Sequence, residues 1–287
     1  MDFPKLEGME KQLIFDSHAH YDDKKFDDCR DELLGTLPQY GVCGVVTCGC
    51  DSASSKAALA LAEKYDYIYA AVGIHPECRD NADINAIEAL ASHPKCVAIG
   101  EIGLDYYWDT EHVAEQKEIF IKQIELAKKL GLPVIVHDRD AHADTLAILK
   151  EYKPAGVLHC FSGSVETARE LLDIGMYIGV GGVITFKNAR RLPEVVKLLP
   201  EDRLLVETDC PYLAPEPYRG KLCHSGLIRF SAEKIAEIRG VDSERILASS
   251  RANAQKLFNI KLRIIHPALQ IITSESGVKL YGRQESE

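Results

Sequence analysis

Short apolar runs alternate with stretches of helical period along the first 260 positions of the chain. Eight runs, at 13–16, 44–48, 68–72, 97–101, 134–137, 157–159, 177–180 and 204–207, are apolar at successive positions, the pattern of parallel strands covered on both faces. Between them the period lengthens. From 112 to 130, Phe120, Ile124 and Ala127 fall on one helix face, and the stretch stops at Gly131 with Pro133 beyond, a helix end followed by a new strand. The stretch 164–174 ends in the same way at Gly175. Eight strand and helix units in this length predict a single-domain α/β fold, a (β/α)8 TIM barrel over 1–260. An open doubly wound sheet is the weaker alternative, because no Gly-x-Gly-x-x-Gly follows the first run. The end of the chain breaks the pattern: over 261–287 the residues predict a C-terminal extension with a β-hairpin, 270–273 and 278–281 joined through Ser274-Glu275-Ser276-Gly277.

Composition narrows the classes. A 287-residue chain with 46% hydrophobic residues has enough for one large buried core. No apolar run reaches the roughly 18 residues that span a bilayer, and the first ten positions lack an apolar stretch behind a basic start. A soluble, unprocessed, cytoplasmic protein without membrane partners is expected. Nine cysteines without a Cys-x-x-Cys pair predict free thiols in a reducing compartment. Cys160 and Cys210 adjoin candidate ligands, and burial as small apolar residues is their expected role in preference to nucleophilic attack. The formal charge of −10 argues against a protein that coats nucleic acid electrostatically, but not against an enzyme that grips one phosphate.

The chemistry gathers where the runs end. His18-Ala19-His20 closes the first run, and side chains at i and i+2 of a strand share a face, so both imidazoles can reach one metal. Glu101 closes the fourth run, with two oxygens able to bridge two cations. His137 and His159 close the fifth and sixth, and Asp209 follows the eighth. The C-terminal strand ends of a barrel are where its active sites lie. Six such groups there predict a two-metal hydrolase, and ligand softness suits zinc or manganese.

Six ordered segments resemble the TatD family of metal-dependent deoxyribonucleases, among the amidohydrolase-like barrels. They are Phe15-Asp16-Ser17-His18-Ala19-His20, Gly73-Ile74-His75-Pro76, Gly100-Glu101-Ile102-Gly103-Leu104-Asp105-Tyr106-Tyr107, Val136-His137-Asp138-Arg139, His159-Cys160-Phe161-Ser162-Gly163, and Glu207-Thr208-Asp209-Cys210-Pro211-Tyr212-Leu213. The resemblance implies two divalent ions, with magnesium added to the candidates. One would take His18, His20 and Asp209, the other His137 and His159, with Glu101 shared. It also implies hydrolysis of DNA, as a 3′ to 5′ exonuclease on single-stranded ends through a hydroxide bridging the metals, with RNA or tRNA as further substrates. Glu101 and Asp209 are the expected catalytic groups, Asp209 orienting the water and accepting its proton. Hydrolysis of an ester or amide, such as a D-aminoacyl-tRNA, is the alternative. The oligomeric state is open, with a monomer as the working expectation.

Substrate contacts are expected from His75 on the rim, from Arg139, and from Lys187, Asn188 and Arg190 in the loop after the seventh run, with Arg219 further on. Arg139 could equally pair with Asp138 or Asp140. Phe186 could stack on a base or pack within its own loop, and Trp108 with Tyr106 and Tyr107 could line a nucleotide cleft or pack at the rim. Glu207 is placed behind the metals. One segment departs from the family pattern. After Arg219-Gly220-Lys221 the chain reads Leu222-Cys223-His224-Ser225, where an arginine, an asparagine, an acidic residue and a proline are usual. His224 is expected in an exposed loop, with a phosphate donor or additional ligand as its functional reading.

Overall fold

The computed structural model describes residues 3–6 and 12–262. Its eight strands are β1 (Ile14–Ala19), β2 (Val42–Cys48), β3 (Ile68–Val72), β4 (Cys96–Asp105), β5 (Val134–Arg139), β6 (Gly156–Leu158), β7 (Tyr177–Val180) and β8 (Leu204–Val206). They pair in parallel in chain order. The ring closes just past β8, where Asp209 N donates to His18 O at 3.0 Å and His20 N to Cys210 O at 2.8 Å. Helices α1 (Arg30–Thr36), α2 (Ser52–Lys64), α3 (Ile84–Ala91), α4 (Val113–Leu130), α5 (His142–Tyr152), α6 (Val165–Asp173), α7 (Leu192–Leu198), α8 (Ile228–Arg239) and α9 (Ser243–Leu257) surround it. This is the (β/α)8 barrel that the apolar pattern predicts. The expected hairpin of the extension lies outside the described residues.

Two separate apolar clusters explain why the runs are apolar without alternation. Phe15, Val46, Ala98, Ile135, Val157 and Leu205 meet inside the barrel with Ala254, Phe258 and Ile260 at the end of α9. Their neighbours Ile14, Val45, Ile99, Val134, Leu158 and Leu204 pack outward among the helices. A strand buried on both faces has no polar position to alternate with. The helix signals act locally. Gly131 ends α4 in the left-handed conformation, at φ 68°, and its N–H returns to Ala127 O and Lys128 O. Phe120, Ile124 and Ala127 are buried on that helix. Among the described residues no helix is long and apolar enough to cross a membrane.

The strands β3 and β7 fall on the predicted positions, whereas β4 and β5 run on to Asp105 and Arg139. Glu101 therefore does not end its strand. It sits where β4 slips in register against β5, between Ile99 opposite Val134 and Ile102 opposite Val136. Such an extra residue bends a strand and re-aims a side chain, which a count of apolar positions does not reveal.

Candidate metal centre

Burial and hydrogen bonding build the site from β1 outward. Asp16, fully buried, takes His18 N at 3.2 Å and Thr208 N at 3.0 Å on Oδ1, and Thr208 Oγ1 at 2.6 Å and Ser225 Oγ at 2.7 Å on Oδ2. Burial pushes its carboxyl up to about 6 against these four donors. One side chain thereby ties the strand carrying His18 to the turn carrying Asp209. Asp209 itself adopts φ 60°, a left-handed conformation that short acidic side chains tolerate.

Glu101 stands between two groups of imidazoles. Its Oε2 lies 3.2 Å from His20 Nε2 and 3.5 Å from His18 Nε2. Its Oε1 lies 2.8 Å from His137 Nδ1, 2.7 Å from His159 Nε2 and 3.6 Å from His75 Nε2. Asp209 Oδ1 completes the first group, 3.5 Å from His18 Nε2 and 3.4 Å from His20 Nε2. Glu101 is buried and Asp209 partly so, which disfavours their charge, yet the imidazoles around them hold each well below the ordinary carboxylate range. Burial also opposes protonation of His18 and His20, and their acidic neighbours more than reverse it.

The outward ring nitrogens show which way the rings are set. His20 Nδ1 faces the carbonyl of Cys48 at 2.9 Å and His137 Nε2 faces Asp105 Oδ2 at 3.0 Å. Both partners only accept, so each ring donates there, and the opposite nitrogen, the one facing Glu101, is the one a cation would take. His18 Nε2 and His20 Nε2 stand 3.0 Å apart, close enough for both to bind one cation. Donors from His18, His20 and Asp209, and from Glu101 with either His18 and His159 or His75 and His137, come within 4.8 Å of one another. The donor set fits divalent cations, with nitrogen and oxygen ligands in a buried space.

The chain matches the TatD related DNase family over residues 15–259. It belongs to that family. A protein of Bacillus subtilis (strain 168), the uncharacterized metal-dependent hydrolase YabD, is 43% identical over 86% of this chain and 100% of its own. A Citrobacter rodentium protein named 3′-5′ ssDNA/RNA exonuclease TatD is 35% identical, covering 87% of this chain and 99% of its own. The crystal structure of YJJV, a TatD homologue from Escherichia coli K12, superposes with a TM-score of 0.81 at 31% identity, over 87% of this chain and 99% of the other. The chain is accordingly a metal-dependent hydrolase.

Other expected residues fall in different places. His75, expected on the rim, is buried, its ring 4.4 Å from that of His137; Glu77 N donates to its Nδ1 at 3.2 Å, so Nε2 carries the proton. Burial drops its pKa to about 3 and keeps it neutral. Arg139 lies on the Tyr107 ring, 3.8 Å from its centroid, while Asp138 takes His142 Nδ1 and Thr145 Oγ1. Neither expected ion pair forms. Asn188 and Arg190 line a cavity of about 310 Å³ with Cys160, Phe161 and Arg191, whereas Lys187 is exposed outside that lining. Arg219 covers the Phe186 ring at 4.3 Å. Glu207 is buried, accepts from Cys160 N, and has Oε1 3.8 Å from His159 Nδ1, an atom without a hydrogen-bond partner. Burial raises its carboxyl to about 8. A Cβ at Gly179 would stand 2.4 Å from Glu207 Oε2, so a larger residue there would require the Glu207 carboxyl to move. All nine cysteines are free thiols.

His224 is the clearest correction. It is fully buried, its Nε2 donating to Pro4 O at 2.8 Å while Nδ1 accepts from Gly226 N at 3.2 Å. It fastens the N-terminal segment instead of reaching the site. The roles of Asp16 and Asp105 escaped the sequence. Asp105 had one available signal, its place two residues beyond Gly103 and four beyond Glu101 on one strand. Gly103, at φ 149° with a Cβ position 1.9 Å from His137 O, lets β4 press close enough to β5 for that contact.

Proposed function

We propose that this chain hydrolyses phosphodiester bonds of DNA with two divalent ions, removing nucleotides from the 3′ ends of single strands. The observation that carries the reading is the division of Glu101, one oxygen toward His18 and His20 and the other toward His137 and His159. Two cations held by these groups, magnesium, manganese or zinc, would neutralise charge at phosphorus and make water a better nucleophile. His18, His20 and Asp209 would hold one, His137 and His159 the other, and Glu101 both. Asp209 Oδ1 faces His18 and His20, which leaves Oδ2 to orient the attacking water and take its proton. Neutral His75, with its proton on Nε2, donates to a phosphate oxygen. Lys187, Asn188, Arg190 and Arg219 supply contacts to the remaining backbone.

The polarity and the single-strand preference come from the Citrobacter relative's name, which makes RNA the second polymer to try. Hydrolysis of a D-aminoacyl-tRNA drew its support from Leu222, Cys223, His224 and Ser225, and all four are buried, out of reach of any substrate.

The test is to strip the protein, reload it with magnesium, manganese or zinc, and follow a 5′-labelled single strand beside an acylated tRNA. Metal-dependent shortening from the 3′ end, lost in Glu101→Ala, is expected. Deacylation without shortening would replace this reading with the second, and cutting of a closed circle would remove the exonuclease part.

A further inference from the structure

Three side chains at the mouth form a group that the metal chemistry does not use. Trp108 and Tyr107 are 63% and 54% exposed, and their rings meet edge to face with centroids 4.8 Å apart. The Arg139 guanidinium lies 3.8 Å from the Tyr107 centroid and 5.5 Å from that of Trp108. Among the described residues no carboxylate pairs with Arg139. Large aromatic surface left in water, beside an unpaired cation, is a feature that packing alone does not explain.

The group is fixed to the metal centre through one carboxylate. Asp105 Oδ1 accepts the N–H groups of Tyr107 and Trp108, each at 3.0 Å, while Oδ2 accepts from His137 Nε2 at 3.0 Å. The aromatic pair therefore has a set position relative to His137. On its other side Trp108 borders a cleft of about 520 Å³ with Glu77, Asp109 and Glu111 in the wall. Arg79 is there too, but Asp109 engages it at 2.7 Å. An acidic wall repels a phosphate and suits an uncharged ring with amino edges.

We propose that Trp108, Tyr107 and Arg139 form a stacking shelf for a nucleobase of the strand whose phosphodiester is cut. This rests on the nucleic-acid reading of the site. Every base offers a π face, so such a shelf favours unpaired bases over paired ones and base-bearing over abasic strands, without choosing a sequence. Arg139 adds a cation to the stack.

Trp108 is the single tryptophan of the chain, so its fluorescence reports on the shelf alone. The probes are a short phosphorothioate single strand that resists hydrolysis and the same strand made abasic. The base-bearing strand should quench Trp108 and the abasic one should not. On cleavable DNA, Trp108→Ala should raise KM about 5- to 150-fold with kcat held, and Trp108→Phe should recover most of the loss. Equal quenching by the abasic strand, or an unchanged KM in Trp108→Ala, overturns the shelf. Base-dependent quenching without hydrolysis of any strand keeps the shelf and overturns the nuclease reading; hydrolysis without base-dependent quenching does the reverse.

Discussion

The two ends of the barrel are built from the same strands and do opposite things. At one end Phe15 of β1 stacks on Phe258, centroids 6.5 Å apart and planes at 15°, among Val97, Tyr177, Leu205 and Ile260. At the other, three residues further along β1, His18 is as fully buried but lies among carboxylates and imidazoles. In β1 the register is irregular between Asp16 and Ala19, and in β4 between Ile99 and Ile102. Both irregularities fall beside candidate ligands, where an extra residue re-aims a side chain, although β1 is also irregular between Ile14 and Phe15 and β3 between Ala70 and Ala71. The contrast teaches that burial stabilises one end and is a cost at the other, where charged and polar groups lie out of water and a cation is needed to offset it.

The contrast can be broken most directly at Glu101. Glu101→Ala should lower activity by at least about 10³-fold, several kcal/mol of transition-state stabilisation, and reduce the metal bound per chain, while the thermal midpoint of the metal-free protein stays close to wild type. Collapse of that midpoint would show that the polar end carries stability after all. Next in size, Asp209→Asn should reduce kcat about 10²- to 10⁴-fold with KM little changed, measured by strand shortening at saturating metal. An unaltered kcat would take Asp209 out of the proton-accepting role.

At the apolar end, Phe258→Ala removes a buried ring and should cost about 3–5 kcal/mol of stability by denaturant unfolding, with kcat per folded molecule unchanged. A matching loss of kcat would mean the two ends are coupled. The smallest effect sharpens the comparison. His224 is a buried histidine with no carboxylate hydrogen-bonded to it, and burial lowers its pKa to about 4. Between an ordinary pKa near 6.5 and that value the unfolded chain binds a proton that the folded one refuses, so stability falls as pH falls through this window. The loss amounts to roughly 3 kcal/mol, and the pH dependence of unfolding in His224→Gln should lack this portion of the slope. Identical profiles would show that His224 is solvated in solution.

Much of this was legible along the chain because a parallel barrel repeats one rule eight times. The runs at 68–72 and 177–180 coincide with β3 and β7, since a strand covered on both faces must be apolar throughout. His18, His20, Glu101, His137, His159 and Asp209 were readable as a set because strand ends in this fold share one face. His75 and His224 were not, because both depend on neighbours remote in sequence. One is drawn in against Glu101 and the other is covered by Phe3 and Pro4.

The amino-acid sequence alone determined the barrel and the convergence of six histidine and carboxylate side chains, because periodic burial and strand-end position are local properties of the pattern. Only the tertiary structure decided how Glu101 divides its oxygens, that Asp105 holds both His137 and the aromatic pair, and that Leu222, Cys223, His224 and Ser225 are buried, Ser225 against Asp16. Those outcomes turn on ångström-scale contacts between strands and loops far apart in the chain, and a hydrogen bond has no periodicity from which to read it.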